Sequence, residues 1–229
     1  MSAAEPKPSK RGFWRANSLT LVCFGLFFVF AFAQSVAGHR QFNADQKAHH
    51  SSEVGYGKYL TSGHFWEALT ENWESEFLQI GAYILLTVFL VQKGSADSKD
   101  PERREEVDQD PREVDKRGDV PWPVRRGGIW LRVYENSLAL AFIVLFLLSI
   151  FFHAMSGARD YSSEQVEHGQ ARVSTLEYAT TSRFWFESLQ NWQSEFLAVL
   201  SIVVLSIHLR QIGSPESKPV DAPHSETGE

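Results

Sequence analysis

Two stretches of the sequence decide the fold: LTLVCFGLFFVFAFAQSVA at residues 19–37 and LALAFIVLFLLSIFF at residues 138–152. Neither contains a charged residue. Such runs are typical of helices that cross a lipid bilayer. Two further apolar runs, at residues 77–91 and 196–209, predict two more membrane spans. The overall composition, 43% apolar with a net charge of −6, would suit a soluble protein. The prediction therefore depends on how the apolar residues cluster.

The sequence indicates a tandem duplication. Shifted by 119 positions, residues 17–99 align without a gap with residues 136–218, and about 29 of about 83 aligned pairs are identical. The pairs include the polar phrases NWESEFL at 72–78 and NWQSEFL at 191–197. Because each repeat holds two spans, both repeats share one orientation, as in parallel-repeat membrane proteins. The predicted fold is all-α, with four transmembrane helices in two tandem parallel two-helix repeats. These are related by a pseudo-two-fold axis along the membrane normal.

The duplication predicts five segments. They are a cytoplasmic N-terminal tail (1–16); a first repeat (17–99) with spans 18–38 and 72–92 around an external segment 39–71; a disordered, charged cytoplasmic linker (100–132); a second repeat (133–218) with spans 137–156 and 191–210 around an external segment 157–190; and a disordered cytoplasmic C-terminal tail (219–229). The linker prediction follows from its dense charges of both signs and its four prolines.

The distribution of basic residues predicts the orientation. About 16 of the 22 Lys and Arg residues lie in the N-terminal tail, in the stretch 93–132 and from residue 210 onward, which predicts a protein of the cytoplasmic (inner) membrane with both termini in the cytoplasm. An alternative is that the first run is a secretory signal peptide ending at Ser35-Val36-Ala37. The near-copy at mid-chain argues against that alternative. The predicted interfacial aromatic residues are Trp14, Trp66, Trp73, Trp122, Trp130, Trp185 and Trp192.

The second span of each repeat is short. Residues 77–92 make about 24 Å of helix, whereas the hydrocarbon core is about 30 Å thick. Starting the span near residue 72 corrects the shortfall and draws Glu76 into the membrane, and the same applies to Glu195. Helical spacing then predicts a polar cluster at the outer ends of the helices. Its candidate members are Asn72, Ser75, Glu76, Gln79, Asn191, Ser194, Glu195, Gln34 and His153.

Local signals predict short helices in the external segments. Asn43-x-x-Gln46 and Ser162-x-x-Gln165 each resemble a capping box, so a helix is expected to start at both positions. Another helix is expected to start near His64 and near Arg183 and to run into the second span.

Motifs for most catalytic and binding classes are missing from the sequence. No HExxH, paired cysteine, GxSxG, GxxxxGK[ST] or GxGxxG occurs, and an acidic chain without a basic, aromatic-lined module does not suggest nucleic-acid binding. Six histidines fall on the predicted outer half but lack a ligand spacing shared by both repeats: His39, His49, His50, His64, His153 and His168. We therefore expect no cofactor, no metal site and no enzymatic activity.

A family resemblance covers nearly the whole chain. Gln46, His49, Tyr59, Phe65-Trp66 and NWxSEFL, followed by a span and a Gly-Ser-x-Asp/Glu-Ser-Lys exit, occur in that order. The pattern resembles a bacterial family of uncharacterised integral membrane proteins known as a domain of unknown function. The resemblance implies a bacterial four-span membrane protein and supplies no activity, ligand or catalytic residue.

Three functional hypotheses follow. The leading one is a non-enzymatic membrane component with a structural or interaction role, with the lipid bilayer as its surroundings and a second copy or another membrane protein as a possible partner. The second is an ion- or proton-coupled transporter that uses Glu76 and Glu195. The third is an enzyme acting at the outer leaflet with a metal bound by histidines.

Overall fold

The computed structural model describes residues 12–49, 51–100, 102–113 and 119–228. The chain divides into two compact units, residues 1–65 and residues 66–229. Regular structure in the described ranges is entirely helical, which agrees with the all-α prediction. The α-helices are α1 (Phe13–Ala16), α2 (Ser18–Ala48), α3 (Tyr56–Tyr59), α4 (Gly63–Phe89), α5 (Trp122–Arg126), α6 (Gly128–Glu135), α7 (Ser137–Glu167), α8 (Thr175–Ala179) and α9 (Ser182–His208).

Two helices, α2 and α7, are long and apolar enough to cross a membrane. Each has 31 residues, or about 46 Å of helix at about 1.5 Å per residue. Their large apolar side chains are mostly exposed; Phe30 and Phe32 on α2 and Leu147 and Phe151 on α7 are examples. Side chains of this kind are normally removed from water, so lipid is a suitable medium for both helices.

The predicted capping boxes do not start helices, because α2 and α7 continue through them. The side chains bind the following loop instead. Asn43 accepts a hydrogen bond from the Val54 backbone N–H at 2.8 Å and donates to the Val54 carbonyl at 3.0 Å. Ser162 makes the same pair of contacts with Val173, both at 3.1 Å. Asn and Ser side chains satisfy extended backbone equally well, so the motif alone did not distinguish the two uses.

The starts of α4 and α9 agree with prediction. α4 begins at Gly63 and α9 at Ser182, so both NWxSEFL phrases lie well inside a helix. Hydroxyl groups satisfy backbone donors in each first turn: Ser62 Oγ accepts from Phe65 N, and Thr181 Oγ1 accepts from Phe184 N.

The linker and the C-terminal tail, both predicted to be disordered, hold local structure in their described parts. A short 3-10 helix covers Glu106–Asp108, and α5 and α6 occupy the end of the linker. Residues 101, 114–118 and 229 lie outside the described residues, as does most of the N-terminal tail. In the C-terminal segment, the ammonium group of Lys218 is buried, and its three N–H groups lie within hydrogen-bond distance of four backbone carbonyls. These carbonyls belong to Gly94, Pro223, His224 and Glu226.

The apolar core of the second unit lies at one end of α7. Ala154 and Ala158 on α7 pack against Tyr178 and Phe184. Gly157 permits this close approach, because a Cβ atom there would lie 2.6 Å from Tyr178 Cζ and 2.7 Å from Glu67 Oε1. The small residues of α7 therefore bring charged side chains of α4 and α9 close to His153.

Candidate functional site

His153 on α7 is the centre of a buried polar network. Its side chain is fully buried, and its Nδ1 lies 2.8 Å from Glu74 Oε2 on α4. Glu74 is also fully buried, and its other carboxyl oxygen accepts the indole N–H of Trp192 on α9 at 2.9 Å. We call the set the His153 network and define it as Glu67, Glu74, His153, Tyr178, Arg183, Glu187 and Trp192.

The contact with Glu74 determines the state of the imidazole ring. Both Glu74 oxygens act as acceptors, so the Nδ1 atom of His153 carries the proton and donates it. In the neutral ring, Nε2 then presents a lone pair, and in the imidazolium form it presents a second N–H. This atom is buried and has no hydrogen-bond partner among the described residues. Glu187 Oε2 lies 3.5 Å from this atom.

Tyr178 joins two acidic side chains. Its hydroxyl lies 2.8 Å from Glu67 Oε1 and 2.6 Å from Glu187 Oε2. One hydroxyl proton cannot serve both oxygens. Burial and the nearby charge of Asp160 raise the pKa of Glu67 to about 8. A protonated Glu67 that donates to the Tyr178 oxygen, while Tyr178 donates to Glu187, satisfies both contacts.

Arg183 supplies the positive charge of the network. Its Nε donates to Glu187 Oε1 at 2.9 Å, one helical turn away, and its Nη1 donates to Glu164 at 2.5 Å. Its Nη2 lies 3.4 Å from Asp160 Oδ2. Burial opposes ionisation of Glu187, but contacts with His153, Tyr178 and Arg183 outweigh it and lower the pKa of this carboxyl group. Glu187 is therefore the ionised acid and Glu67 the protonated one at neutral pH.

In NWESEFL the glutamate that joins the buried network is Glu74, whereas the sequence pattern predicted Glu76. Glu74 is buried, whereas Glu76 is exposed. The neighbouring Ser75 is buried and donates to the carbonyl of Asn72, and Asn72 is exposed and donates to Ala68. Gln79 is partly buried.

The corresponding residues of the second repeat stay outside the network. Asn191 and Glu195 are partly buried, and Ser194 is exposed and donates to the Asn191 carbonyl. Glu195 lies close enough to Glu76 for the two carboxyl groups to interact electrostatically. Gln34, in the first unit, is exposed. Among the predicted polar cluster, His153 alone belongs to the His153 network.

One of the predicted interfacial tryptophans has a role in the network. Trp192 binds Glu74, and its ring stacks edge-on against Trp185 with centroids 6.3 Å apart. Trp73 is partly buried. The remaining residues of this set are exposed, as interfacial side chains would be: Trp14, Trp66, Trp122, Trp130 and Trp185.

Five of the seven residues of the His153 network differ between the two repeats, whereas Tyr178 and Trp192 match Tyr59 and Trp73. At the shift of 119 residues, Glu74 aligns with Gln193, Glu67 with Phe186 and Glu187 with Ala68. Likewise, His153 aligns with Gln34 and Arg183 with His64. Two local signals do point to these residues. Glu67 and Glu74 are seven apart, and Arg183 and Glu187 are four apart, so each pair shares a helix face.

The other histidines have different surroundings. His39 binds the carbonyl of Val54 through Nε2 at 2.7 Å, and His168 binds the carbonyl of Glu164 through Nδ1 at 2.8 Å. His50 lies outside the described residues. No metal site was predicted from the sequence, but His153 lies beside two carboxyl groups from other helices.

Comparison with known proteins confirms that the chain belongs to a family known as a domain of unknown function. The chain matches no curated protein and no solved structure. A family model described as Domain of unknown function (DUF6766) matches residues 10–229. With this match across nearly its full length, the chain belongs to the DUF6766 family.

Proposed function

We propose that the chain is a multi-pass protein of the bacterial cytoplasmic membrane with a structural or interaction role, in which the His153 network ties α4, α7 and α9 together. The observation that carries the structural role is the pairing of buried charge across helices. Glu74 on α4 binds groups from both α7 and α9, and Glu187 on α9 lies against Arg183, Tyr178 and His153.

The proposed topology has four spans, at residues 18–38, 72–92, 137–156 and 191–210, in two parallel repeats with both termini cytoplasmic. The helix bounds support it. α2 and α7 have 31 residues each, α4 and α9 have 27 each, and the members of each pair begin 119 positions apart. The exposed apolar side chains of α2 and α7 support contact with lipid.

A double-mutant cycle tests the tie between helices. The free energy of unfolding is measured in detergent for the wild type, for Glu74→Gln, for Trp192→Phe and for the double variant. The loss in the double variant is then compared with the sum of the losses in the two single variants. Contacting residues show coupling of about 0.5–3 kcal/mol. We expect coupling in this range for Glu74 and Trp192. Additivity within about 0.3–0.5 kcal/mol would contradict a direct tie.

Cysteine labelling tests the topology. In a Cys23→Ser background, single cysteines replace Glu53, Val107, Leu176 and Val220, and intact spheroplasts are treated with a membrane-impermeant maleimide. Positions 53 and 176 should label directly, and positions 107 and 220 only after lysis. Labelling of positions 53 and 176 from opposite faces would rule out parallel repeats. Transport and outer-leaflet catalysis stay predictions.

A further inference from the structure

We propose that Glu67, His153 and Glu187 form a binding site for a divalent transition-metal ion of the Zn²⁺ class. One carboxyl oxygen of Glu67, one of Glu187 and a ring nitrogen of His153 all lie within 4.8 Å of one another. The three residues come from α4, α7 and α9, so the site exists only in the folded chain.

The main argument is the buried lone pair of His153. With the proton on Nδ1, the Nε2 atom has no hydrogen-bond donor among the described residues and faces Glu187 across 3.5 Å. A lone pair opposite a carboxylate in a buried site is unfavourable unless a positive charge lies between them. In the metal-free chain a second proton on the ring takes this place across a long contact of 3.5 Å, and a divalent ion would replace that proton. The ring nitrogen and the carboxylate oxygen are both good ligands for Zn²⁺.

The distances fit a metal ion after small side-chain movements. In a tetrahedral site with bonds of about 2.0–2.1 Å, neighbouring ligand atoms are about 3.3 Å apart. The Nε2 of His153 and the Oε2 of Glu187 are already 3.5 Å apart. The longest separation in the triad, up to 4.8 Å, requires the ligand atoms to move closer by about 1.5 Å. We expect rotation of the Glu67 or Glu187 side chain to close this distance, since a glutamate side chain has several rotatable bonds.

The surrounding contacts resemble those that position metal ligands. Ligating histidines commonly donate their second N–H to a carboxylate, which fixes the ring and raises the basicity of the ligand nitrogen. Glu74 is the carboxylate that accepts the Nδ1 proton of His153, and the indole N–H of Trp192 donates to the other oxygen of Glu74. Arg183 holds the other oxygen of Glu187, so Oε2 remains directed at the triad.

The ligand set limits the kind of ion. One neutral imidazole and two carboxylates balance a divalent charge, and the mixture of nitrogen and oxygen suits Zn²⁺, Fe²⁺ or Mn²⁺. Binding requires Glu67 to release its proton, so the metal replaces the proton shared with Tyr178. The inference goes beyond the proposed function, because it depends on the geometry of three side chains and on neither the number of spans nor the structural role.

Calorimetric titration of the metal-free protein with ZnCl₂ tests the proposal. The full chain, purified in detergent without a histidine tag and treated with a chelator, should bind one Zn²⁺ per chain. Glu67→Gln and Glu187→Gln remove a ligand while keeping shape, and each should weaken binding at least 100-fold. Glu74→Gln should weaken it about 10–100-fold, as outer-shell changes do. Glu76→Gln, an exposed change on the same helix, should bind like the wild type.

Two results would overturn the proposal. One is a wild-type chain that binds no Zn²⁺; the other is a Glu67→Gln or Glu187→Gln protein that binds as the wild type does, which would place the ion elsewhere. Circular dichroism checks that the variants fold. If the Glu67→Gln or the Glu187→Gln protein does not fold, the visible spectrum of the Co²⁺-loaded wild-type protein tests the site instead. Intense bands from tetrahedral coordination support the site, and the weak spectrum of hydrated Co²⁺ contradicts it. The double-mutant cycle on metal-free protein is a separate measurement, so failure of one proposal is distinguishable from failure of the other.

Discussion

Replacing Glu74 by alanine should destabilise the protein more than any single change at Glu76. Glu74 is 0% exposed and accepts hydrogen bonds from His153 at 2.8 Å and Trp192 at 2.9 Å. Hydrogen bonds to charged groups contribute about 1.5–3 kcal/mol each, and breaking a buried ion pair costs about 3–5 kcal/mol. We expect Glu74→Ala to lower the free energy of unfolding by about 3–5 kcal/mol.

Glu74→Gln should cost less, about 1.5–3 kcal/mol, because the amide oxygen still accepts one bond while the amide NH₂ faces the other donor. The assay is unfolding in detergent micelles, followed by circular dichroism. Glu76→Ala and Glu76→Gln are the controls. Glu76 is exposed, and surface changes of this kind usually stay within about 0.5 kcal/mol. Equal losses at positions 74 and 76 would refute the reasoning that Glu74 is the buried partner of His153.

Two further predictions concern packing and protonation. Gly157→Ala places a Cβ atom 2.6 Å from Tyr178 Cζ and should destabilise the protein by about 1–3 kcal/mol in the same assay. Gly25→Ala, which meets no atom within 4 Å, should not; equal effects would contradict close packing at Gly157. Burial and Asp160 raise the pKa of Glu67 to about 8 from 4.5, so its contribution to stability is complete below pH 4.5 and is lost as pH rises through 8. In chelator-treated protein, stability should fall between pH 5 and 8 in the wild type and less steeply in Glu67→Gln; parallel curves would show that Glu67 is not the titrating group.

Helix positions were largely predictable, because the signals for them are local. The uncharged runs at 19–37 and 138–152 lie within α2 and α7, and the predicted starts of α4 and α9 agree with the observed starts. Local signals failed where one side chain has two possible uses. Asn43 and Ser162 were interpreted as helix caps, but both hold the following loop.

The site was less predictable than the helices. A search for identical residues in the two repeats emphasises what both halves share. The acidic and basic residues of the His153 network and His153 itself occur in only one half, and only Tyr178 and Trp192 have identical counterparts. Glu67, Arg183 and Glu187 are charged residues outside any motif. These side chains lie close together because Gly157 lets Tyr178 and Glu67 approach α7 closely. Nothing in the sequence distinguishes this glycine among the 15 in the chain.

The sequence by itself determined the all-helical character, the four apolar runs with their internal similarity, and the family of this protein, since each follows from residue type and order along the chain. Tertiary structure alone decided which carboxyl group is buried. Glu74 and Glu76 are two positions apart on α4, so their side chains point about 200° apart around the helix axis. Which of them meets His153 depends on the rotation of α4 against α7, and that rotation is set by packing between helices that are distant in the sequence.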